Sequence, residues 1–194
     1  FSTNSVAEMA IGLMFAANRK IALGDKEFRN GLVAVDPGTP EQARFSGFDL
    51  IGKTIGVIGL GDIGSRIAEI GNGIGMSVIA YNRTEKNLPN VKQVSLTELF
   101  EKADVVVLAL ALNDQTKGII TSELIENMKK SAIFVSIAGL GLTDQDALKN
   151  ALNNDLIAGA GIDPASQDWA EVKNTVLTPH NGYNTRESDE NMGR

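Results

Sequence analysis

The stretch VIGLGDIGSRIA, residues 57–68, places Gly59, Gly61 and Gly64 in the spacing G-x-G-x-x-G. An apolar run rich in β-branched residues precedes these glycines, and a segment with helical periodicity follows them. In this context Gly59 permits a tight turn, Gly61 lets the backbone approach a pyrophosphate, and Gly64 allows a helix to pack closely on a strand. The pattern therefore predicts a strand, a phosphate-binding turn and a helix.

The start of that helix is the predicted phosphate site. The first amides of a helix have no acceptor within the helix and lie at the positive end of its dipole, so they bind anions. We expect the amides of Asp62 and Ile63 to face the phosphates of a dinucleotide. The alternative is a glycine-rich turn without a ligand, because a chain with 20 glycines can match this spacing by chance.

Apolar runs and helical segments alternate from Lys53 towards the end of the chain. The apolar runs are TIGVIG, MSVIAYN, DVVVLALAL, AIFVSIA, LIAGAGID and TVLTP, and the helical segments are SRIAEIGNGI, SLTELFEKA, TSELIENM and TDQDALKNALNN. Such alternation is typical of right-handed crossovers between parallel strands. We predict an α/β fold, a doubly wound parallel sheet of the Rossmann type with helices on both faces. Residues 1–194 are expected to form one dinucleotide-binding domain.

Before Lys53 the sequence predicts one long helix and a surface loop. SVAE, residues 5–8, fits a capping box, and apolar residues recur behind it at helical spacing as far as Ile21. We expect an amphipathic helix that starts at this box and ends near Gly24, with an apolar stripe in the core or in a subunit interface. DPGTP, residues 36–40, predicts a turn-rich loop.

The composition excludes several classes of protein. The formal net charge of −6 repels phosphate backbones, so a nucleic acid partner is not expected. The absence of cysteine excludes disulfides, thiolate catalysis and cysteine-based metal sites, and the sequence has no other cluster of metal ligands. No apolar run is long enough to span a bilayer, and no signal-peptide pattern opens the sequence. We therefore expect a cytoplasmic protein without a membrane or metal partner.

The apolar run MSVIAYN ends in Asn82, at the position where a carboxylate normally binds the adenosine ribose. A carboxylate accepts hydrogen bonds from the ribose hydroxyls and repels a 2′-phosphate. Asn82 removes that repulsion, and Arg83 and Thr84 offer hydrogen-bond donors to such a phosphate. We therefore expect NADP rather than NAD as the cofactor. The alternative is that Asn82 binds the ribose itself and that Arg83 is a solvated surface charge.

Taken together, these motifs resemble the nucleotide-binding domain of the D-isomer-specific 2-hydroxyacid dehydrogenases. The resemblance covers nearly the whole chain and is carried by NSVAEMAIGLMFAANRKI, DLIGKTIGVIGLGDIGSRIA, MSVIAYNRT, ADVVVLALALNDQTKGII, MKKSAIFVS, LTDQDAL, IAGAGID and NTVLTPH. It implies hydride transfer between NAD or NADP and a small 2-hydroxy acid or its 2-oxo acid. It also implies a homodimer formed through the N-terminal helix and this domain, and a substrate domain without a counterpart in these residues.

The resemblance assigns roles to three residues in the last third of the chain. His180, the only histidine, belongs to a TPH motif and is the expected proton donor. Asp168 takes the place of a glutamate that pairs with this histidine. Aspartate keeps the charge but is one methylene shorter, and the alternative is a solvated loop acid. Asp163 matches a residue beside the nicotinamide ring.

One side chain that the resemblance leads us to expect is missing. The family has an arginine in an N-x-A-R-G stretch, and this chain has SIAGLG there, with Gly139 in place of the arginine. The backbone of Ile137, Ala138 and Gly139 can still line the cofactor, but glycine offers no charge to a carboxylate. Two functions stay open. One is an NAD(P)-dependent dehydrogenase that uses His180 and Asp168, and the other is a catalytically impaired dinucleotide-binding sensor or interaction module.

Overall fold

The computed structural model describes residues 2–32, 34–191 and 193, and these form one sheet of seven strands. The strands are β1 (Thr54–Ile58), β2 (Ser77–Tyr81), β3 (Val91–Gln93), β4 (Val105–Leu108), β5 (Ile133–Ser136), β6 (Gly159–Ile162) and β7 (Thr175–Leu177). Every neighbouring pair is parallel, in the order β3-β2-β1-β4-β5-β6-β7. The strand order reverses between β1 and β4, and ligands of such sheets bind at the carboxyl ends of the strands beside this point.

The described part of the chain contains eight α-helices, three before the first strand, four between strands and one after the last strand. They are α1 (Thr3–Asn18), α2 (Ile21–Arg29), α3 (Pro40–Ala43), α4 (Asp62–Gly73), α5 (Leu96–Lys102), α6 (Ser122–Glu126), α7 (Gln145–Asn153) and α8 (Arg186–Asn191). The side chains of Ser95, Thr121 and Asp144 cap α5, α6 and α7 by accepting a hydrogen bond from an amide of the first turn. None of the helices described here is long and apolar enough to cross a membrane.

Apolar side chains cover both faces of the sheet, because successive residues of a strand point to opposite sides. One cluster joins the sheet to α1 and α4 and includes Ala10, Met14, Ile55, Val57, Ile67, Val105, Val107 and Val135. The other joins the sheet to α5, α6 and α7 and includes Ile58, Leu99, Val106, Leu108, Ile125, Phe134, Leu148 and Ile162. The predicted doubly wound parallel sheet with helices on both faces is confirmed.

The start of α1 differs from the prediction. The helix begins at Thr3, so residues 5–8 lie inside it and the predicted capping box is wrong. The hydroxyl of Ser5 is instead hydrogen-bonded to Oγ1 of Thr185, at 2.8 Å. A contact with a segment far along the chain has therefore replaced the local cap.

The end of α1 differs as well. The helix stops at Asn18 instead of continuing towards Gly24, and α2 follows as a separate helix. Lys20 separates the two helices, because its φ of 52° is left-handed. Its Nζ donates a hydrogen bond to the carbonyl of Ala158, at 2.6 Å. Burial of this amine lowers its pKa, although Asp155 opposes the effect. The stretch 36–40 is a mostly exposed turn that leads into α3, as expected.

The side chain of Asn18 guides the chain from α3 back to β1. Its Nδ2 donates to the carbonyl of Phe48 at 2.7 Å, and its Oδ1 accepts from the Phe48 amide at 3.1 Å. Asn18 is buried, and a Cβ at Gly47 would lie 2.2 Å from the carbonyl oxygen of Asn18. The side-chain amide of Asn18 thus pairs with both backbone groups of Phe48, as a neighbouring strand would. It fixes the segment that leads into β1.

We expect Asn18→Ala to lower the free energy of unfolding by about 1–3 kcal/mol, because it leaves both backbone groups of Phe48 without their partner. Asn87→Ala is the matched control, since Asn87 is exposed, and should change stability by less than about 0.5 kcal/mol. Urea unfolding of the two variants measures the difference. Equal effects would contradict the role assigned to Asn18.

Candidate active site

The glycine-rich turn lies between β1 and α4. A Cβ at Gly64 would lie 1.8 Å from the carbonyl oxygen of Gly59, so glycine is required for α4 to pack this closely. Gly59 has a φ of 95°, in the left-handed region that favours glycine. At Gly61, in contrast, a Cβ would meet no protein atom within 4 Å. The space next to Gly61 is therefore open to a ligand.

The start of α4 offers free hydrogen-bond donors to this space. The amides of Asp62 and Ile63 have no acceptor among the described residues, and the N-cap residue Gly61 has no side chain to supply one. A groove of about 390 Å³ opens here, lined by Gly59, Gly61, Asp62, Ile63, Asn82, Ala109 and their neighbours. Free amides at the positive end of a helix fit the phosphate oxygens of a dinucleotide.

Asn82 joins the glycine turn to the loop that follows β2. Its Oδ1 accepts a hydrogen bond from the Leu60 amide at 3.0 Å, and its Nδ2 donates to the carbonyl of Thr84 at 2.8 Å. Arg83 is exposed, and its Nη1 donates to Oε1 of Gln115 at 2.6 Å. The loop therefore presents a guanidinium group and no carboxylate at position 82.

Lys86 belongs to this end of the site, although the sequence analysis does not include it. Its Nζ donates to the carbonyl of Leu60 at 2.6 Å, and its amide donates to Oε1 of Gln93 at 2.9 Å. The lysine ammonium thus adds a positive charge next to the glycine turn. Its position depends on the path of the loop after β2, which leaves no signal in the sequence.

The other end of the site is organised by the buried carboxylate of Asp163. It accepts hydrogen bonds from Oγ1 of Thr178 at 2.8 Å, from the Asn181 amide at 3.1 Å and from the Gly182 amide at 2.9 Å. The Asp163 amide donates to the carbonyl of Ser136, at 2.9 Å. This network fixes the segment that follows β7 against the carboxyl ends of β5 and β6.

His180 lies within that segment. Its side chain is exposed and its φ is 63°, an uncommon value for a residue with a side chain. The imidazole packs edge-to-face on Tyr183, with ring centroids 5.6 Å apart. An imidazole held in this way at the carboxyl edge of a parallel sheet is accessible to a small molecule.

Asp168 does not bind His180 in the described part of the chain. Its carboxylate binds Nζ of Lys149 on α7 and Oγ of Ser166, the latter at 2.5 Å. The hydrogen bonds from Lys149 and then from Ser166 lower the pKa of Asp168. The pair that the resemblance implies is therefore replaced here by a pair between Asp168 and Lys149.

Gly139 has no conformational reason to be glycine. Its φ of −57° and ψ of 133° suit any residue, and a Cβ would make an ordinary contact with Cδ2 of Leu112, at 3.4 Å. Ile137 and Ala138 precede it, and Oγ of Ser136 donates to the carbonyl of Ala138 at 3.0 Å. Leu112, half exposed, lies beside the position where the side chain of an arginine would begin.

The fold and the glycine turn define a dinucleotide-binding domain of the Rossmann type. Residues 11–182 match the sequence pattern of the D-isomer specific 2-hydroxyacid dehydrogenase, NAD binding domain. The chain belongs to this family.

Two named relatives are consistent with membership of this family. The chain is 36% identical over 190 residues to glyoxylate reductase of Pyrococcus horikoshii, covering 93% of this chain and 57% of that protein. It is 35% identical over 203 residues to hydroxypyruvate reductase of Thermotoga maritima, covering 99% of this chain and 64% of that protein.

Solved structures agree as well. An acyclic imino acid reductase in complex with NADPH and D-Arg has a TM-score of 0.90 and 36% identity, covering 97% of this chain and 61% of that one. The apo D-lactate dehydrogenase of Escherichia coli has a TM-score of 0.86 and 27% identity, covering 97% of this chain and 60% of that one. The chain thus spans about three fifths of the length of these relatives.

Two glycine variants should separate packing from binding in the turn. Gly64→Ala should destabilise the fold by about 2 kcal/mol or more, because its methyl group overlaps the carbonyl of Gly59. Gly61→Ala should leave the fold as stable as the wild type and weaken NADPH and NADH binding by about tenfold or more, or about 1.4 kcal/mol.

Thermal unfolding and fluorescence titration with each cofactor measure these effects. Gly73→Ala, at the far end of α4 with open space around its Cβ, is the control for a glycine change in the same helix. Wild-type cofactor binding by Gly61→Ala would show that the turn does not hold the pyrophosphate.

Proposed function

We propose that this chain is the cofactor-binding part of an oxidoreductase that transfers a hydride between NAD(P) and a 2-hydroxy acid or its 2-oxo acid. The observation that carries the proposal is the placement of the free amides of α4 and the exposed imidazole of His180 at the same edge of one sheet. The names of the relatives, glyoxylate reductase and hydroxypyruvate reductase, support the substrate class. Residues 1–194 form one dinucleotide-binding domain in this proposal, with the two apolar clusters sharing one sheet.

In this proposal the residues of the site have separate roles in cofactor binding and in proton transfer. Gly59, Gly61 and Gly64 shape the turn, and the amides of Asp62 and Ile63 bind the pyrophosphate. The bound nicotinamide cofactor supplies or accepts the hydride.

At the reacting end, the backbone of Ile137, Ala138 and Gly139 would line the nicotinamide. Asp163 would lie on the same side of the site, and its carboxylate positions the segment of His180. His180 donates a proton to the carbonyl oxygen during reduction and accepts it back during oxidation.

The first test is oxidation of NADPH and NADH by the full-length polypeptide with a panel of 2-oxo acids. His180→Ala should lower kcat/KM by about 100-fold or more, because the carbonyl oxygen loses its proton donor, and should leave cofactor affinity unchanged. Fluorescence titration of the same variant provides the control for cofactor binding. Turnover that is unchanged in His180→Ala would refute the proposed role of the imidazole.

A non-catalytic sensor or interaction module is the second candidate function, and Gly139 is the observation that favours it. Loss of a preorganised cation normally costs orders of magnitude in rate. The backbone at Gly139 can accept an arginine, so Gly139→Arg belongs in the same assay. Cofactor binding without turnover in the wild type, with turnover in Gly139→Arg, would favour the module.

We propose NADP as the preferred cofactor. Asn82 contributes no charge that would repel a 2′-phosphate, while Arg83 and Lys86 bring two cations to this end of the groove. Asp163 follows β6 and Asp168 lies in the loop between β6 and β7, both farther across the sheet from this end. The complex of a structural relative with NADPH supports this preference.

Asn82→Asp should weaken NADPH binding by about tenfold or more and leave NADH binding unchanged or tighter. The carboxylate can still accept the Leu60 amide, but it places a negative charge next to the 2′-phosphate. Arg83→Gln is the companion variant, since it removes a cation without adding a negative charge, and should weaken NADPH binding alone. Equal losses for both cofactors in Asn82→Asp would argue against a 2′-phosphate site here.

We also propose that the chain forms a homodimer through α1 and α2 and acts in the cytoplasm on a small-molecule substrate. α2 has no buried residue, and Ile21 and Phe28 expose 56% and 66% of their surface. Exposed apolar side chains of this kind mark a surface for association. Sedimentation equilibrium checks the dimer, and a monomer at micromolar concentrations would contradict it.

A further inference from the structure

One face of α7 holds the loop between β6 and β7. The three side chains of α7 that bind this loop are spaced four residues apart and therefore lie along one side of the helix. Gln145 accepts from Nε1 of Trp169 at 3.2 Å, Lys149 binds the Asp168 carboxylate, and Asn153 accepts from the Lys173 amide at 3.0 Å. The orientation of Asp168 is therefore set by a helix surface.

Lys149 is the more firmly held member of its ion pair. Its side chain is 21% exposed and its Nζ lies 5.1 Å from the centroid of the fully buried Trp169 ring. A cation in this position is stabilised by the aromatic face as well as by the carboxylate. The side chain of Asp168 is 58% exposed, and besides Lys149 only Oγ of Ser166, on the same loop, binds it among the described residues, so its carboxylate is the less confined partner.

The same loop begins beside the segment that carries His180. The Ala165 amide donates to the carbonyl of Thr178 at 3.0 Å, and Asp168 follows Ala165 after two intervening residues. The titratable groups that the described contacts place against the His180 segment are Asp163, which binds its backbone, and Tyr183, which packs on the imidazole. The adjoining loop carries two carboxylates, Asp168 and the exposed Glu171, and the present partners of Asp168 are Lys149 and Ser166.

We propose that Lys149 is a positioning residue that competes with His180 for the carboxylate of Asp168 and holds that carboxylate on α7. His180 then lacks a carboxylate partner until the pair between Lys149 and Asp168 opens. The consequence for proton transfer rests on the proposed function. The competition itself concerns only residues of this chain, so it can be tested without turnover.

His180 is the only histidine in the 194 residues, so ring signals of histidine in NMR spectra report its pKa without ambiguity. Asp168→Asn should leave the pKa of His180 within about 0.2 of the wild-type value, because the carboxylate is bound elsewhere. Lys149→Met should raise it by about one pH unit, because the released carboxylate favours the imidazolium. Lys149→Arg keeps the cation and should behave as the wild type.

The double variant Lys149→Met/Asp168→Asn identifies the cause of any rise. It should return the pKa of His180 to the wild-type value. A rise that persists in the double variant would assign the effect to the lost lysine charge and would overturn the proposal. A lower pKa in Asp168→Asn alone, or no change in Lys149→Met, would overturn it as well.

Kinetics provide the second measurement. Reduction requires a protonated His180, so its rate falls as the pH rises through the pKa of this residue. Lys149→Met should therefore extend the reductive activity upwards in pH by the same amount as it raises the pKa. If no 2-oxo acid is reduced at any pH, the proposed function fails, and the NMR titration still decides the role of Lys149.

Discussion

The buried carboxylate of Asp163 makes the contacts on which the arrangement of the candidate active site depends. A carboxylate that is 3% exposed is costly unless donors satisfy it, and here three donors come from residues 178–182. The approach is close, because a Cβ at Gly182 would lie 2.7 Å from Oδ2 of Asp163. The position of His180 thus follows from a buried polar network at the end of β6, rather than from packing of the imidazole itself.

The parts of the fold that the sequence predicts well are those with local requirements. The turn at Gly59 needs a positive φ, and the approach at Gly64 excludes any side chain, so both leave a trace in the sequence. The buried strands β4, β5 and β6 are apolar except for Ser136 at the end of β5, as expected for strands covered on both faces. The strand β3 has three residues, of which only Val91 is apolar, so it has too little pattern to be predicted.

The errors arise where distant residues decide a local structure. Ser5 has the residue type of a helix cap, but its hydroxyl binds Thr185 far along the chain. Lys20 has no helix-breaking tendency of its own, and its left-handed conformation accompanies a bond to Ala158. In the same way, the resemblance identifies Asp168 as a carboxylate near the site but carries no information about Lys149, which lies 19 positions earlier on α7.

Gly139 and His180 bear on the choice between an enzyme and a binding module, because neither residue is explained by folding. Position 139 has a conformation open to any side chain, so the fold does not require glycine there. His180 has a left-handed backbone, a conformation that costs about 1 kcal/mol or more for a residue with a side chain. Its exposed ring makes no hydrogen bond within the described residues that would offset this cost. A catalyst that uses His180 and lacks an arginine at position 139 needs another group to bind the carboxylate of its substrate. The presence or absence of such a group therefore decides between an enzyme and a binding module.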